Sequence, residues 1–163
     1  MMMLTLNTAR ELGIKNRINA KNSIFGGAKY MQKLLKRIPE SVPEPDKTWF
    51  ALAAYNVGMG HLHDARTLAK KINKNPDKWN DIATVLPLLS QKKYYRNLKY
   101  GYARGNEPVQ YVQRIRDFDD LLVRELEFTE NEKTGLRNIN PLEPKPENKV
   151  ANYLPIKSSV FIE

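Results

Sequence analysis

The chain has 163 residues, 41% hydrophobic and 28% charged, which predicts one folded domain and a further segment. It contains no cysteine, which excludes disulfides, cysteine-ligated zinc and a thiol nucleophile. No apolar run approaches the roughly 18 residues of a membrane span, and the N-terminus lacks the charged and apolar regions of a signal peptide. The formal net charge of +9 indicates an anionic partner: nucleic acid, a membrane surface or an acidic glycan polymer.

The excess positive charge lies in residues 1–128. Residues 129–163 hold five lysines and arginines and five glutamates, which cancel. Charge alone does not distinguish among the anionic partners, and it is also compatible with a basic surface that is simply solvated.

Two helices are predicted at the start of the chain. The first spans residues 5–12 and stops at Gly13, and the second follows the N-cap residue Asn22. Gly26 and Gly27 inside the second helix cost about 1 kcal/mol each relative to alanine, a cost that another helix crossing at short distance would explain. The apolar residues that define the buried face of this second helix are Ile24, Ala28, Met31, Leu34, Leu35 and Ile38.

The stretch Leu52–Gly60 is predicted to end a helix at the edge of a cleft. The helix begins near Asp46, and small residues precede Tyr55 and Asn56. Gly58 can adopt the positive φ that ends a helix, so both polar side chains would lie where the helix stops. Another helix follows Gly60, and its predicted buried face comprises Leu62, Ala65, Leu68, Ala69 and Ile72.

The second half of the body is also predicted to be helical. A short helix begins at Trp79 and ends at Pro87, and the last helix begins at Asn106 and runs to about Leu126. No segment alternates with period two, so the predicted fold class is all-α. The predicted apolar face of the last helix comprises Val109, Val112, Ile115, Leu122 and Leu126. Residues 128–163 are proline-rich and predicted to form a flexible tail.

Residues 92–104, rich in lysine, arginine and tyrosine, allow two interpretations. The tyrosines could stack on nucleic-acid bases or sugar rings while the cations bind phosphate or carboxylate groups. They could equally form the amphipathic wall of a helix pair.

His61 and His63 would point about 200° apart on a helix, so no metal site is predicted. Tyr111, just beside the predicted buried residue Val112, is a candidate for lining a groove.

Several of these stretches resemble a known family. Ala53–Gly58 resembles the Ala-Tyr-Asn-x-Gly motif of soluble-lytic-transglycosylase (SLT) domains, which have a goose-lysozyme-like fold and cleave peptidoglycan. Met1–Ala9 resembles the Gly-Leu-Met-x-Leu-Thr-x-x-Thr-Ala segment of that family without its opening glycine, and Tyr111–Ile115 resembles its final Tyr-Val motif. The resemblance is greatest to the membrane-bound lytic murein transglycosylase F branch, and it includes residues 49–56, 85–92 and 100–105.

The resemblance implies a peptidoglycan lytic transglycosylase. Such an enzyme cleaves the MurNAc–GlcNAc bond without water and forms a 1,6-anhydromuramyl end, and it needs neither a cofactor nor a metal. The expected fold is an all-α, lysozyme-like SLT domain, of which residues 1–127 supply the C-terminal part. The implied partner is the peptidoglycan glycan strand, with no nucleic acid, and the implied state is a monomer at the periplasmic face of the outer membrane.

The resemblance also implies which residues bind substrate. Tyr55, Asn56, Tyr111, Met3 and Thr5 occupy positions that line the cleft in relatives. The catalytic glutamate of the family precedes the segment on which this chain opens, so the expectation is that the chain lacks a catalytic residue and is inactive alone. The glutamates Glu11, Glu40, Glu44 and Glu107 do not match its position. Two alternatives remain open: a non-catalytic glycan-binding remnant and a basic helical nucleic-acid-binding module.

Overall fold

The computed structural model describes residues 2–133, with side chains described through Thr129, and every regular element among them is a helix. The all-α prediction is therefore confirmed for this part of the chain. The helices are α1 (Leu6–Glu11), α2 (Ala20–Arg37), α3 (Asp46–Val57), α4 (Met59–Lys71), α5 (Trp79–Val85), a 3₁₀ helix (Leu86–Ser90), α6 (Lys92–Tyr95) and α7 (Asn106–Lys133).

The chain divides into two compact units, Met1–Asp119 and Asp120–Glu163. All candidate site residues belong to the first unit. In the second unit, the helix α7 continues to Lys133, beyond the predicted end at about Leu126. Most of the predicted tail, residues 134–163, lies outside the described residues.

The first two helices begin at side-chain caps. The Thr5 hydroxyl accepts a hydrogen bond from the Thr8 backbone N–H of α1 at 3.2 Å. In α2 the cap is Asn19, whose Oδ1 accepts from the Asn22 backbone N–H at 3.1 Å. The choice of Asn22 as the cap was therefore wrong by three residues, because both asparagines are suitable cap residues and the sequence alone does not rank them.

Gly58 joins α3 to α4 without a loop. Its φ of +91° is strained for any residue with a Cβ, which explains why glycine occupies the junction. Its N–H donates to the Ala54 carbonyl at 2.9 Å, and its carbonyl accepts from the Leu62 N–H at 3.2 Å. The predicted helix end is confirmed, and α4 begins at Met59, slightly earlier than predicted.

The core lies among α2, α3, α4, α5 and the 3₁₀ helix. The Phe50 ring is fully buried and meets the Trp79 ring edge-on, with centroids 6.1 Å apart. On α4, Arg66 donates to the Pro76 carbonyl at 3.0 Å and pairs with Asp77, which ties α4 to the turn before α5. The largest fully buried side chains also include Leu34, Leu62, Ile82, Leu86 and Leu89.

Gly26 and Gly27 are approached by the segment around α1, and the prediction of a crossing helix was wrong. A Cβ on Gly27 would lie 2.3 Å from Met2 Cβ, and a Cβ on Gly26 would lie 2.1 Å from Ile14 Cδ1. The two glycines therefore let the start of the chain lie directly on α2.

Some residues predicted to face the core are exposed. Ile24 is 56% exposed, Leu122 62% and Leu126 67%. The reason is that helical spacing identifies an apolar face and does not identify what covers it. Each helix in residues 2–133 is too short or too polar to span a lipid bilayer.

Candidate functional site

Tyr55, near the end of α3, joins that helix to the start of the chain. Its hydroxyl donates a hydrogen bond to the Met2 carbonyl at 2.6 Å. Its ring meets the Tyr30 ring of α2 edge-on, with centroids 5.4 Å apart and an interplanar angle of 60°. The end of α3, the middle of α2 and the first residues of the chain therefore meet at Tyr55.

Tyr111 on α7 belongs to the same neighbourhood. Burial raises the pKa of the Tyr55 phenol above its ordinary value, and the nearby phenols of Tyr111 and Tyr30 raise it further. Burial also raises the pKa of Tyr111. Tyr30, Tyr55 and Tyr111, called the tyrosine cluster below, thus bring half-buried phenols from three helices together. Neutral phenols of this kind can donate and accept hydrogen bonds while their rings offer apolar surface.

The other three predicted site residues have different surroundings. Asn56 follows Tyr55 and its side chain is exposed. Met3 follows the tethered Met2, has a positive φ of 46° and is 86% exposed. The Thr5 hydroxyl caps α1 and lies 2.9 Å from the Thr8 hydroxyl, so it is engaged within its own helix turn.

Sequence reasoning did not name Met2 and Tyr30 as site residues. Both contact Tyr55 directly. Their contacts depend on how α2 crosses α3 and on the glycines that admit the start of the chain, so no local pattern reveals them. The one available signal was the glycine pair itself, which indicates a close approach.

The glutamates of residues 2–129 are all exposed. Glu11 pairs with Lys33, and the hydrogen bond and positive charge of that lysine hold the pKa of Glu11 below its ordinary value. Glu107 pairs with Arg104 at 3.2 Å, and Glu44 accepts from the Thr48 N–H and hydroxyl at the start of α3. The lowered pKa of Glu11 is the opposite of what a general acid needs.

Asp64 is the one buried carboxyl group in the same range, with 4% exposure. It accepts hydrogen bonds from the backbone N–H groups of Lys99 at 3.2 Å and Tyr100 at 2.7 Å. Both oxygens are therefore used to hold the segment that follows α6. Among the described residues, no group of three or more histidines and acids is placed to hold a metal ion.

Comparison with known proteins gives a family match and many close relatives. Residues 1–80 match the family model described as Transglycosylase SLT domain. A protein of Saccharophagus degradans named membrane-bound lytic murein transglycosylase F is 50% identical over 159 residues, 98% of this chain and 30% of the relative. Proteins with the same name from Idiomarina loihiensis and Hahella chejuensis are 56% and 59% identical over 75% and 76% of this chain. The chain spans less than a third of the length of these relatives.

Proposed function

Because the chain belongs to the transglycosylase SLT domain family, we propose that it forms the glycan-binding side of a peptidoglycan lytic transglycosylase that acts in cell-wall turnover. Its helical architecture is that of a lysozyme-like SLT domain. The observation that carries the proposal is the tyrosine cluster beside the start of the chain, where Tyr55 holds the Met2 carbonyl. The relatives are named as lytic murein transglycosylases, which supplies the substrate class.

The reaction proposed for the whole enzyme needs a single carboxylic acid. The acid gives its proton to the glycosidic oxygen while the bond from that oxygen to C1 of the muramyl sugar breaks. The C6 hydroxyl of the same sugar then attacks C1, and its proton passes to the carboxylate. Water does not enter the product, which is a 1,6-anhydromuramyl end.

The residues of this chain bind and orient the strand in that reaction. The neutral phenols of Tyr55 and Tyr111 line the groove and present ring surface and hydroxyl groups to a sugar. The exposed amide of Asn56 hydrogen-bonds to hydroxyl or acetamide groups of the strand. Met3 gives apolar contact, and Thr5 keeps α1 in place beside it.

The proton donor is not one of the glutamates of residues 2–129, since all of them are exposed. A general acid that stays protonated near neutral pH requires an apolar pocket that raises its pKa, and Glu11 shows the reverse shift. In this proposal the residues of the chain bind the glycan strand, and the proton for cleavage comes from a group other than these glutamates.

The proposed setting follows from the relatives. Their names describe membrane-bound enzymes, which supports action at the periplasmic face of the outer membrane. The chain acts there as a monomer on glycan strands, and it requires no cofactor.

Purified peptidoglycan sacculi test both parts of the proposal. The chain is incubated with sacculi, the bound fraction is measured by sedimentation, and the released fragments are analysed by mass spectrometry. We expect binding, weakened by Tyr55→Ala and Asn56→Ala, and no 1,6-anhydromuropeptides. An absence of binding would overturn the glycan assignment. Release of anhydromuropeptides would instead show that the proton donor lies within this chain.

A further inference from the structure

The most basic exposed part of the first unit is residues 92–104, called the basic-aromatic segment below. It contains lysines, arginines and tyrosines and no acidic residue. Tyr100 is 50% exposed and Tyr102 55% exposed. Aromatic residues are enriched on surfaces that bind other molecules, so exposed rings among these cations favour a binding role. The cations are Lys92, Lys93, Arg96, Lys99 and Arg104.

The backbone of this segment is fixed by a buried charge. The carboxylate of Asp64 accepts both the Lys99 and Tyr100 backbone N–H groups. A carboxylate removed from water is costly unless its oxygens are hydrogen-bonded, so the pairing holds the segment firmly against α4. The Ala103 N–H also donates to the Leu89 carbonyl at 3.2 Å. Tyr100 is therefore presented by an ordered backbone.

The Tyr100 ring itself is seated on the start of α4. A Cβ added to Gly60 would lie 2.7 Å from Tyr100 Cδ1, so the ring lies directly over a residue that has no side chain. The His61 ring meets it edge-on, with centroids 6.1 Å apart. The Lys99 ammonium lies 5.5 Å from the ring centroid. One side of the ring is held by the protein, and half of the residue remains open to solvent.

The position of Tyr100 connects it to the candidate site. Gly60 lies in the first turn of α4, and Asn56 lies in the last turn of α3, with Gly58 between the two helices. Tyr100 therefore lies beside the same helix junction that carries Tyr55 and Asn56. Both Asn56 and Tyr100 are exposed to solvent.

We propose that Tyr100 and Lys99 form an accessory subsite for the peptidoglycan strand, in which the ring stacks on a sugar and the cations of the basic-aromatic segment bind carboxylates of the peptide stems. This proposal rests on the proposed glycan-binding function. Sugar rings present apolar C–H faces that fit an exposed aromatic ring, and peptide stems carry the negative charge that matches the segment. Nucleic acid has both features as well, but continuity with Tyr55 and Asn56 favours the glycan.

The two contributions can be separated by salt. Stacking on Tyr100 depends on apolar contact and persists at high ionic strength. Pairing with exposed lysines and arginines is screened, so it weakens as salt rises. Within this subsite, binding of a ligand without carboxylates should depend on Tyr100 and not on the cations.

The experiment measures equilibrium binding by titration calorimetry at low and high salt. The probes are soluble peptidoglycan fragments with intact peptide stems, an uncharged N-acetylglucosamine hexamer and a single-stranded oligonucleotide. We expect Tyr100→Ala to weaken binding of both glycans about fivefold to tenfold and Tyr100→Phe to retain it, since the ring carries the contact. Lys99→Ala should weaken binding only of the fragments with stems, and only at low salt. The matched control is Lys36→Ala, because Lys36 is an exposed lysine on α2. It should leave the binding of both glycans unchanged.

Gly60→Ala provides a second variant that displaces the Tyr100 ring without removing it, and it should weaken both glycans as Tyr100→Ala does. If the wild-type chain binds the fragments and both variants bind them equally well, the subsite is wrong while the proposed function stands. If the wild-type chain binds neither glycan, both proposals are overturned. Tighter, Tyr100-dependent binding of the oligonucleotide would overturn the glycan subsite in favour of nucleic acid.

Discussion

Two regions of the first unit meet at the tyrosine cluster, and they are held in place by different means. One is the core formed by α3, α4 and α5, in which Phe50, Leu62 and Ile82 are completely buried. The other is the N-terminal segment, residues 2–14, in which only Leu4 and Ala9 are buried while Met3 and Leu6 are exposed. The first region is fixed by apolar burial, which is the larger source of stability.

The N-terminal segment is held instead by a few specific ties. Its backbone accepts hydrogen bonds from Tyr55 at Met2 and from Arg17 at Leu4, the latter at 2.9 Å. Glu11 pairs with Lys33 of α2, and the glycine pair of α2 admits Met2 and Leu4. Substitutions in the core should therefore change the stability of the whole unit. Substitutions at these hydrogen bonds, at the ion pair or at the glycine pair should mainly change how firmly the N-terminal segment is held beside the cleft.

The largest expected effect is that of Phe50→Ala. Removal of a fully buried ring that packs on Trp79 should lower the free energy of unfolding by about 3–5 kcal/mol. Urea denaturation of the intact chain, followed by circular dichroism, measures this loss. Ile72→Ala is the control, because Ile72 is 36% exposed and its truncation should cost less than about 1.5 kcal/mol. Equal losses for the two variants would contradict the assignment of the core.

Gly27→Ala should act on the N-terminal segment with little change in overall stability. The new methyl group would collide with Met2, a clash that typically costs about 1–3 kcal/mol. Alanine also favours the α2 helix by about 1 kcal/mol over glycine, which offsets part of that cost. Hydrogen exchange should therefore increase at the amides of residues 2–12, and sacculus binding should weaken.

Gln32→Ala on α2 is the control for the glycine variant, because Gln32 is exposed. It should leave both hydrogen exchange of residues 2–12 and sacculus binding unchanged. If Gly27→Ala leaves the exchange of these amides unchanged as well, the close approach of Met2 does not hold the segment.

The sequence predicted the core better than the N-terminal segment for a physical reason. The Ala-Tyr-Asn-Val-Gly stretch indicates a helix end through local backbone chemistry, and Gly58 has the positive φ that this requires. Helical spacing likewise predicted the buried positions of α4, apart from Ile72. Both signals are local, and local signals are what a sequence displays directly.

The contacts around the tyrosine cluster are not local. Tyr55 and Met2 are 53 positions apart in the chain, and no spacing rule connects them. The glycine pair indicated a close approach but did not identify the approaching residues, and a crossing helix was the wrong choice. Met3 and Thr5 were named from the family resemblance and Asn56 also from the predicted helix end, and the roles of all three in binding stay predictions.

Tyr55→Phe should have a smaller effect than the glycine variant. The substitution removes the hydrogen bond to Met2 and leaves the ring against Tyr30. It should therefore lower the free energy of unfolding by about 0.5–1.5 kcal/mol. The loss should concentrate in the N-terminal segment, where limited proteolysis detects it as faster cleavage. Tyr102→Phe, at an exposed position, is the matched control and should not change the cleavage rate. Equal rates for all three proteins would show that the bond does not hold the segment.

The smallest effect is expected from alkaline pH, which tests the hydrogen bond from Tyr55 to Met2 without a substitution. The pKa of Tyr55 is raised above the ordinary tyrosine value of 10.0 by burial and by Tyr111 and Tyr30, so the folded chain keeps a proton that the unfolded chain loses. The corresponding stability is complete below about pH 10 and is lost as the pH rises through the folded-state pKa. Ionisation also removes the proton donated to Met2, so the N-terminal segment should loosen at that pH. Ultraviolet absorbance is measured against pH for wild type and for Tyr55→Phe, and the difference between the two curves gives the titration of the Tyr55 phenol. If the midpoint of this difference curve equals the tyrosine pKa of the denatured chain, Tyr55 is not buried in the cluster.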